Sequence, residues 1–422
     1  TAKQRDELLA EMTDSVAALV LKDNYEQCET LSLAEAHAPG MVDVHERFIR
    51  SLEGARKLHR DLEALPNDEQ IADRKRDHRG LTRPELSTLL AYSKIDLYAE
   101  LLDSGVPEDP YLSAELERYF PDPLPERFGD AMREHRLARE IVATQVVNNV
   151  LHGGGTTFVF RLHEETGAPA SEIARGYAVA REIYGMRPQW ADIEALDNQV
   201  DSAIQLSMLL EGRRLIERST RWLLRHRSRP MDIASTVGQF RPGAETLFEA
   251  VPALLAPADA EPLARRADEL RDAGVPQPLA ERVSALATMF SALDVVEVAG
   301  ETGLDVEEVA AVHFALGHRL GLHWLRDRIV ELPRDDHWRA RARAALRDDL
   351  YAIHRDLTAE VLWSPRAADD AGARVETWVE ENPASERSLQ TLADIRVNRN
   401  FDLTTLPVAV REIRNLSRRL EP

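Results

Sequence analysis

The 422-residue sequence predicts an all-α protein, a multi-helix bundle of long amphipathic helices and helical hairpins with no substantial sheet. Apolar residues recur at helical spacings in nearly every segment. Helix start and stop signals are frequent along the whole chain. Strand-like alternation is confined to one β-rich heptad, TTFVFRL at 156–162.

Three segments show the helical period most clearly. In residues 133–152 the apolar side chains follow one stripe, formed by Leu137, Ile141, Val147 and Leu151. A single long helix is predicted from Pro188 to about Arg227, with one apolar side formed by Trp190, Ile193, Leu196, Val200, Ile204 and Met208. A third long helix is predicted from His337 to Leu362, which is dense in Arg, Ala and Leu.

Capping signals place several helix ends. In LTRPEL, Thr82 and Glu85 have the spacing of a capping box, and Pro84 is tolerated in the first turn. Ser171–Glu172 and Asp305 stand where N-caps are expected. Glycines stand where helices should end, at Gly105, Gly185, Gly303 and Gly321.

Composition shifts predict three parts. Residues 1–78 form a helical segment that ends in a charged stretch, residues 79–240 a bundle of long helices, and residues 241–422 a second helical subdomain. Within the second part, residues 119–128 contain three prolines, which predict a rigid, extended connector.

Two segments resemble each other at a shift of 136 residues. In residues 162–185 and 298–321, Glu-Thr-Gly is followed by an amphipathic segment that ends in Gly. Each copy predicts a helix end, a glycine turn and a second helix. The repeat is either a duplicated helical hairpin or a chance recurrence, and two copies do not form a solenoid. A DNA-binding helix-turn-helix is the weaker interpretation, because the second helices have little positive charge.

Composition excludes several classes of function. A net charge of −20 disfavours nucleic acid and anionic membranes as partners. Cys28 is the one cysteine, so disulfide frameworks and Cys-based zinc sites within the chain are excluded and a cytoplasmic location is expected. No apolar run approaches the ~20 residues of a membrane span. The charged start has no signal peptide and no initiator Met, so we expect a fragment or a processed product.

The stretch NNVLHGGGTTFVF at 148–160 is the strongest candidate for chemistry. His152–Gly155 matches the oxyanion loop of lipases and esterases, but the G-x-S-x-G nucleophile motif of that fold is absent. The glycine motifs of phosphate-binding loops are also absent. We therefore predict a joint, in which 149–152 end one helix, the glycines turn, and Thr156 or Thr157 caps the next.

No catalytic, cofactor-binding or metal residue is assigned. His313, His318 and His323 lie five residues apart and project in three directions from one helix. Asp335, Asp336 and His337 favour a helix cap over a metal site, and His135 a surface position. Acidic pairs predict solvated helix faces, at Glu164–Glu165, Glu307–Glu308 and Glu380–Glu381. The larger aromatic residues favour packing, at Tyr177, Tyr184, Trp190, Trp222 and Trp324.

Four long blocks, at 12–27, 81–110, 119–168 and 183–200, resemble the C-terminal region of the bacterial large-type NAD-specific glutamate dehydrogenases. The resemblance implies a parent enzyme that converts L-glutamate and NAD to 2-oxoglutarate and ammonia. The family's glycine fingerprint and catalytic lysine have no matching positions here. The resemblance thus implies that NAD belongs to the parent enzyme, with no cofactor in this chain.

The same resemblance implies three functional alternatives. The first is a structural role, in which residues 1 to about 64 pack against the catalytic domain and the chain helps to assemble a homo-oligomer. Its partners are then the catalytic and regulatory domains of the same polypeptide, and an apolar patch is exposed in their absence. The second is a regulatory helical module that couples an effector or partner to the catalytic domain. The third, an enzyme of unknown chemistry, is disfavoured because no catalytic motif was found.

Overall fold

The computed structural model describes residues 2–333, 336–364 and 370–417, and it confirms the all-α class for these residues. None of them forms a β-strand. They divide into two compact units, which we call the first unit (Thr1–Glu182 with Ile216–Val237) and the second unit (Ile183–Leu215 with Gly238–Pro422). The predicted division at 78 and 240 stays a prediction.

The first ten helical elements run from the N-terminus to the middle of the chain. They are α1 Ala2–His37, a 3-10 turn Ala38–Met41, α2 Val42–Gly54, α3 Asp68–Arg76, α4 Arg83–Leu102, α5 Ala114–Tyr119, α6 Leu124–Arg133, α7 Ala138–Gly154, α8 Phe158–Thr166 and α9 Ala170–Ile183. Helix α7 packs against α1, α4 and α5. Leu86 and Leu89 of α4 and Val150 and Leu151 of α7 are fully buried. Each such side chain contributes about 1.5–3 kcal/mol of burial free energy, so packing rather than propensity stabilises these helices.

The remaining helices continue to residue 414. They are α10 Met186–Glu194, α11 Ser202–His226, α12 Ile233–Leu254, α13 Pro257–Asp272, α14 Gln277–Met289, α15 Ser291–Thr302, α16 Val306–Leu320, α17 Leu322–Glu331, α18 His337–Trp363, α19 Ala371–Glu380, α20 Ser385–Asn398 and α21 Leu406–Arg414. Helix α18 lies at the centre of the second unit and contacts α15, α16, α17 and α21. The predicted helix at 337–362 is therefore confirmed.

Several predicted caps are confirmed by hydrogen bonds. The Glu85 carboxylate accepts a bond of 2.7 Å from the backbone N–H of Thr82. The Asp336 carboxylate accepts bonds from the N–H groups of the two residues after His337. Asp305 occupies the N-cap of α16, although its side chain makes no capping bond. Asp335 lies outside the described residues.

Glycine ends the predicted helices at three of the four positions. Gly303 and Gly321 are the C-caps of α15 and α16, and both adopt the left-handed conformation. Gly185, with φ +58°, separates α9 from α10. Gly105 lies in the turn after α4, which already ends at Leu102.

The single long helix predicted from Pro188 to Arg227 is wrong. The chain forms α10 and α11 instead, with residues 195–201 between them. Asn198 adopts a left-handed φ of +60°, which interrupts the helical path. The Asp201 carboxylate then accepts a bond of 2.8 Å from the N–H of Ala203 and so starts α11. Apolar periodicity continued across this break and concealed it.

Three smaller predictions are corrected. The connector at 119–128 is only four residues long, because α6 begins at Leu124 with a proline tolerated in its first turn. Leu137 is the exposed N-cap of α7, whereas the other three residues of its predicted stripe are buried. Ser171 lies inside α9, which begins directly after Pro169. The helix predicted after the glycines is confirmed, because the β-rich heptad at 156–162 forms no strand and its residues from Phe158 onward belong to α8. Phe158 and Leu162 are buried one turn apart.

The two similar segments share the predicted local structure. In the first copy α8 ends at a left-handed Gly167 and α9 follows. In the second copy α15 ends at a left-handed Gly303 and α16 follows. The recurrence of helix end, glycine turn and second helix is therefore confirmed, and whether it arose by duplication stays open.

Among the described residues no single helix is long and apolar enough to span a membrane. One pair, Gln277–Met289 with Ser291–Thr302, reaches that length and composition together, but it is bent by 63°.

Candidate functional site

The triple glycine forms a tight joint between α7 and α8. Helix α7 continues through Gly154, two residues beyond the predicted end, and Gly155 is its C-cap with φ +100°. The Gly155 N–H donates to the carbonyl of Leu151 at 2.9 Å, and the Gly155 carbonyl accepts from Phe158 at 3.0 Å. A Cβ on Gly154 would lie 2.6 Å from the Phe158 ring. Glycine is needed here for close packing and for a positive φ.

The polar groups of the joint bind other parts of the first unit. The His152 ring lies 3.1 Å from the carboxylate of Glu26, and the His152 carbonyl accepts a bond from the Thr30 hydroxyl. Burial raises the pKa of Glu26, but His152 and Lys22 lower it more, so the group stays ionised. Thr157 occupies the predicted N-cap of α8, yet its hydroxyl makes no capping bond and accepts one from a later arginine instead. These contacts fix α1 against α7.

A cavity of about 230 Å³ lies beside this joint. Its apolar wall comes from α2, α4, α7 and α8, with Phe48, Leu52, Leu97, Leu151, Val159 and Phe160. Its polar lining consists of Ser51, Lys57, Ser93, Asp96, Glu100, Thr156 and His163. The sequence did not predict this cavity, because its lining residues come from positions more than 100 apart in the chain.

The ionisable groups of the cavity are two carboxylates, one ammonium and one imidazole. The Lys57 ammonium donates to the carboxylate of Asp96. Glu100 makes no ion pair or hydrogen bond with any described residue. Burial and the neighbouring charge of Asp96 raise the pKa of Glu100, while Lys57 and His163 partly offset this effect. The two carboxylates of the cavity outnumber its single lysine.

Two hydroxyl groups line the inner part of the cavity. The Ser93 hydroxyl lies within hydrogen-bonding distance of the carbonyls of Leu89 and Thr156. The Thr156 hydroxyl is buried and has no hydrogen-bond partner among the described residues. An unsatisfied buried hydroxyl costs about 1–3 kcal/mol, so a partner for it would be stabilising.

The candidate histidines occupy two neighbouring helices of the second unit. His313 and His318 lie on α16, and His323 lies on α17. His318 and His323 both contact the carboxylate of Asp259, at 2.8 and 3.1 Å. Within the described parts of the chain, no group of three His, Cys, Asp or Glu side chains has the geometry to hold a metal ion.

His313 instead stacks on His354 in the core of the second unit. Their ring centroids are 3.5 Å apart, and the His354 Nε2 donates to the His313 carbonyl at 2.8 Å. The Thr358 hydroxyl donates to the carbonyl of His354 and therefore accepts from the His313 Nδ1. Burial lowers the pKa of His354 to about 3, and it lowers that of His313 as well. Both imidazoles are neutral at pH 7.

One predicted solvated acidic pair is instead engaged in ion pairs. Glu164 binds Arg47 at 3.2 Å, and Glu165 binds the buried Arg221 at 2.5 Å. Arg221 also binds Glu217, which accepts a second bond from an arginine of α8. The predicted solvated face is therefore wrong for Glu164–Glu165, because the partly buried guanidinium of Arg47 and the buried guanidinium of Arg221 face it.

An apolar stripe lies on the N-terminal half of α1. Leu9, Val16 and Val20 fall within about 40° of one another around the helix, at the roughly 100° per residue of an α-helix. Their exposures are 55%, 42% and 54%. On another side of the same helix, Glu11 binds Arg127 of α6 at 2.8 Å. The helix is thus attached along one side and presents apolar side chains on another.

These features define an all-helical domain in which the described residues contain ion-pair clusters, a small cavity and an exposed apolar stripe. Residues 78–415 match the model of the family described as "Glutamate dehydrogenase, C-terminal". The chain belongs to this family of C-terminal glutamate dehydrogenase domains. The resemblance stated from the sequence blocks is therefore confirmed.

Three curated relatives share the description NAD-specific glutamate dehydrogenase. The protein of Pseudomonas aeruginosa is 42% identical over 418 residues, and that of Halomonas elongata is 40% identical over the same length. The protein of Mycobacterium tuberculosis is 37% identical over 419 residues. Each match covers 99% of this chain but only 26% of the relative. The chain therefore spans about a quarter of the length of these relatives.

Proposed function

We propose that this chain is the non-catalytic helical C-terminal domain of a large NAD-dependent glutamate dehydrogenase. In this proposal the whole enzyme oxidises L-glutamate to 2-oxoglutarate and ammonia with NAD. The present chain contributes no catalytic side chain. It packs against the catalytic part of the same polypeptide and helps the subunits to assemble in the cytoplasm.

The apolar stripe on α1 is the observation that supports packing. Its three side chains are about half exposed. The stripe lies within the residues that precede the C-terminal family match at 78, yet the relatives match the chain over 99% of its length. Residues 1–77 thus extend from the C-terminal domain toward the remaining three-quarters of the longer proteins. In this proposal α1 therefore contacts the domain that precedes it in the polypeptide.

The free energy available from covering the stripe is modest but sufficient for a tethered contact. Full burial of an exposed Leu or Val contributes about 1.5–3 kcal/mol. With roughly half of each of the three side chains still exposed, covering them gives about 2–4 kcal/mol. A covalently linked partner pays little further association entropy, because its effective concentration is high.

Two substitutions in the full-length enzyme test this proposal. Val16→Glu with Val20→Glu should place charges in the contact, lower NAD reduction with glutamate and weaken subunit assembly in light scattering. Ala10→Glu with Ala17→Glu is the matched control, because both alanines are exposed and lie roughly 80–100° around the helix from the stripe, away from the side that binds Arg127. Equal activity and assembly in the double variant and the control would refute the packing role.

A regulatory module is the second candidate function, and the cavity beside the glycine joint favours it. A small molecule bound there would contact α2, α4 and the α7–α8 joint together. Regulation requires that such a ligand changes the affinity of the enzyme for NAD or glutamate. By linkage, NAD or glutamate then changes the affinity of the enzyme for the ligand by the same factor. Titrations of the ligand with and without glutamate in the full-length enzyme measure this factor.

A further inference from the structure

The cavity beside the glycine joint combines an apolar interior with an acidic opening. Leu52, Leu97 and Leu151 are buried, whereas Glu100 and Lys57 are exposed. The charged groups therefore lie at the opening and the aliphatic groups lie deeper. Small-molecule sites commonly have this arrangement of an apolar pocket with a few polar groups.

We propose that this cavity binds a small organic ammonium ion, namely a primary amine on a short aromatic or aliphatic body. The proposal goes beyond the packing role above, because it concerns a ligand of the first unit alone. The amine contacts the carboxylate of Glu100 at the opening, and the body packs against the edges of the Phe48 and Phe160 rings, which contact each other.

Charge at the opening favours a cation over an anion. The Lys57 ammonium is already paired with Asp96. Glu100, in contrast, makes no hydrogen bond or ion pair with a described residue, and an ammonium group would supply one. Partial desolvation and the charge of Asp96 raise the pKa of Glu100, and a cation beside it would act in the opposite direction. A carboxylate ligand would instead face both Asp96 and Glu100.

The size and shape of the cavity limit the body of the ligand. At roughly 30 Å³ for each water in the liquid, 230 Å³ holds at least about seven non-hydrogen atoms. The Phe48 and Phe160 centroids are 5.1 Å apart with planes at 42°, so a third ring can contact both edge to face. A benzyl or branched butyl group fits these limits.

The buried hydroxyl of Thr156 gives an independent indication of a ligand. Thr156 lines the same cavity, is almost fully buried and has no hydrogen-bond partner in the described structure. The Ser93 hydroxyl beside it has two carbonyls within hydrogen-bonding distance, and its single O–H donates to them. The Thr156 hydroxyl lies in the inner part of the cavity, so a ligand with a second polar atom on its body would supply the missing hydrogen-bond partner.

Isothermal titration calorimetry of this chain with three matched probes tests the proposal. Benzylamine, benzyl alcohol and benzoate share one ring and differ in the charge of the attached group. We expect saturable binding of benzylamine, binding of benzyl alcohol that is about tenfold weaker, and no binding of benzoate at the same concentrations. Tightest binding of benzoate, or no saturable binding of benzylamine, would overturn the proposal.

Three variants locate the binding. Glu100→Gln should weaken benzylamine about tenfold and leave benzyl alcohol unchanged, because only the ion pair is lost. Val159→Phe should abolish binding of both probes by filling the cavity, with an unchanged far-UV circular dichroism spectrum as evidence of folding. Glu126→Gln is the control, since Glu126 is an exposed carboxylate on α6 outside the cavity. Benzylamine binding of equal strength in Glu100→Gln and the native chain would also overturn the proposal.

Because the calorimetry uses this chain alone, its result is independent of the packing role. Failure of the α1 double variant to change activity would refute the packing proposal and leave the amine site intact. Failure of benzylamine to bind would refute the amine site and leave the packing proposal intact.

Discussion

Lowering the pH from 7 to 5 is expected to destabilise the second unit through His354. Burial lowers the pKa of this imidazole from 6.5 to about 3, and the nearby charges of His323 and Arg326 add to the effect. Between these two pKa values the unfolded state binds a proton that the folded state does not. The contribution of the neutral His354 to the free energy of unfolding is therefore fully present above pH 6.5 and falls as the pH decreases toward 3.

The expected loss of unfolding free energy follows from the difference between pH 5 and the pKa of His354 in the unfolded chain. That difference is about 1.5 pH units, and each unit corresponds to about 1.4 kcal/mol. The loss at pH 5 is therefore about 2 kcal/mol for His354 alone. His313 contributes in the same direction, because its pKa is also lowered by burial.

His354→Gln isolates the contribution of this residue. The Gln amide N–H can still donate to the His313 carbonyl, as the His354 Nε2 does, but it does not titrate. Hydrogen exchange followed by mass spectrometry should report the opening free energy of α16 and α18 at pH 7 and pH 5, after correction for the intrinsic exchange rate. The variant should lose about 2 kcal/mol less than the native chain. An equal loss in both proteins would refute the reasoning.

Further predictions concern the first unit and the chain as a whole. Glu217→Gln should destabilise the fold by about 2–3 kcal/mol in urea unfolding, because Arg161 and Arg221 lose their shared carboxylate and Glu217 is only 21% exposed. Gly154→Ala should cost about 1–3 kcal/mol and lower the melting temperature, because its Cβ would meet the Phe158 ring; Gly129→Ala, where that space is open, is the control and should have little effect. The chain alone should not reduce NAD with glutamate, and measurable turnover by the purified chain would contradict its non-catalytic assignment.

Local signals predicted the helices better than the breaks between them. The capping box at Thr82 and the cap at Asp336 depend on residues within three positions, so both could be inferred from the sequence. The break between α10 and α11 could not be inferred from apolar spacing, because Val200 and Met208 on either side are both buried. The Asn198 and Asp201 pair was the available signal, since both residue types favour turns and caps.

The features that could not be predicted from the sequence depend on contacts between residues far apart in the chain. The glycine joint between two helices was correctly predicted, but the cavity beside it combines Phe48 of α2 with His163 of α8. The pairing of Glu165 with Arg221 likewise joins residues 56 positions apart. Charge and apolar patterns report which side of a helix is polar, whereas the partner across a helix interface depends on the tertiary fold.

The central claim is that the apolar stripe of α1 packs against the preceding part of a longer polypeptide. Hydrogen exchange of the peptide spanning residues 9–20, compared between this chain alone and the full-length enzyme, tests this claim most directly. Packing that contributes about 2–4 kcal/mol predicts exchange at least about tenfold slower in the full-length enzyme. Identical exchange rates in the two proteins would contradict the claim.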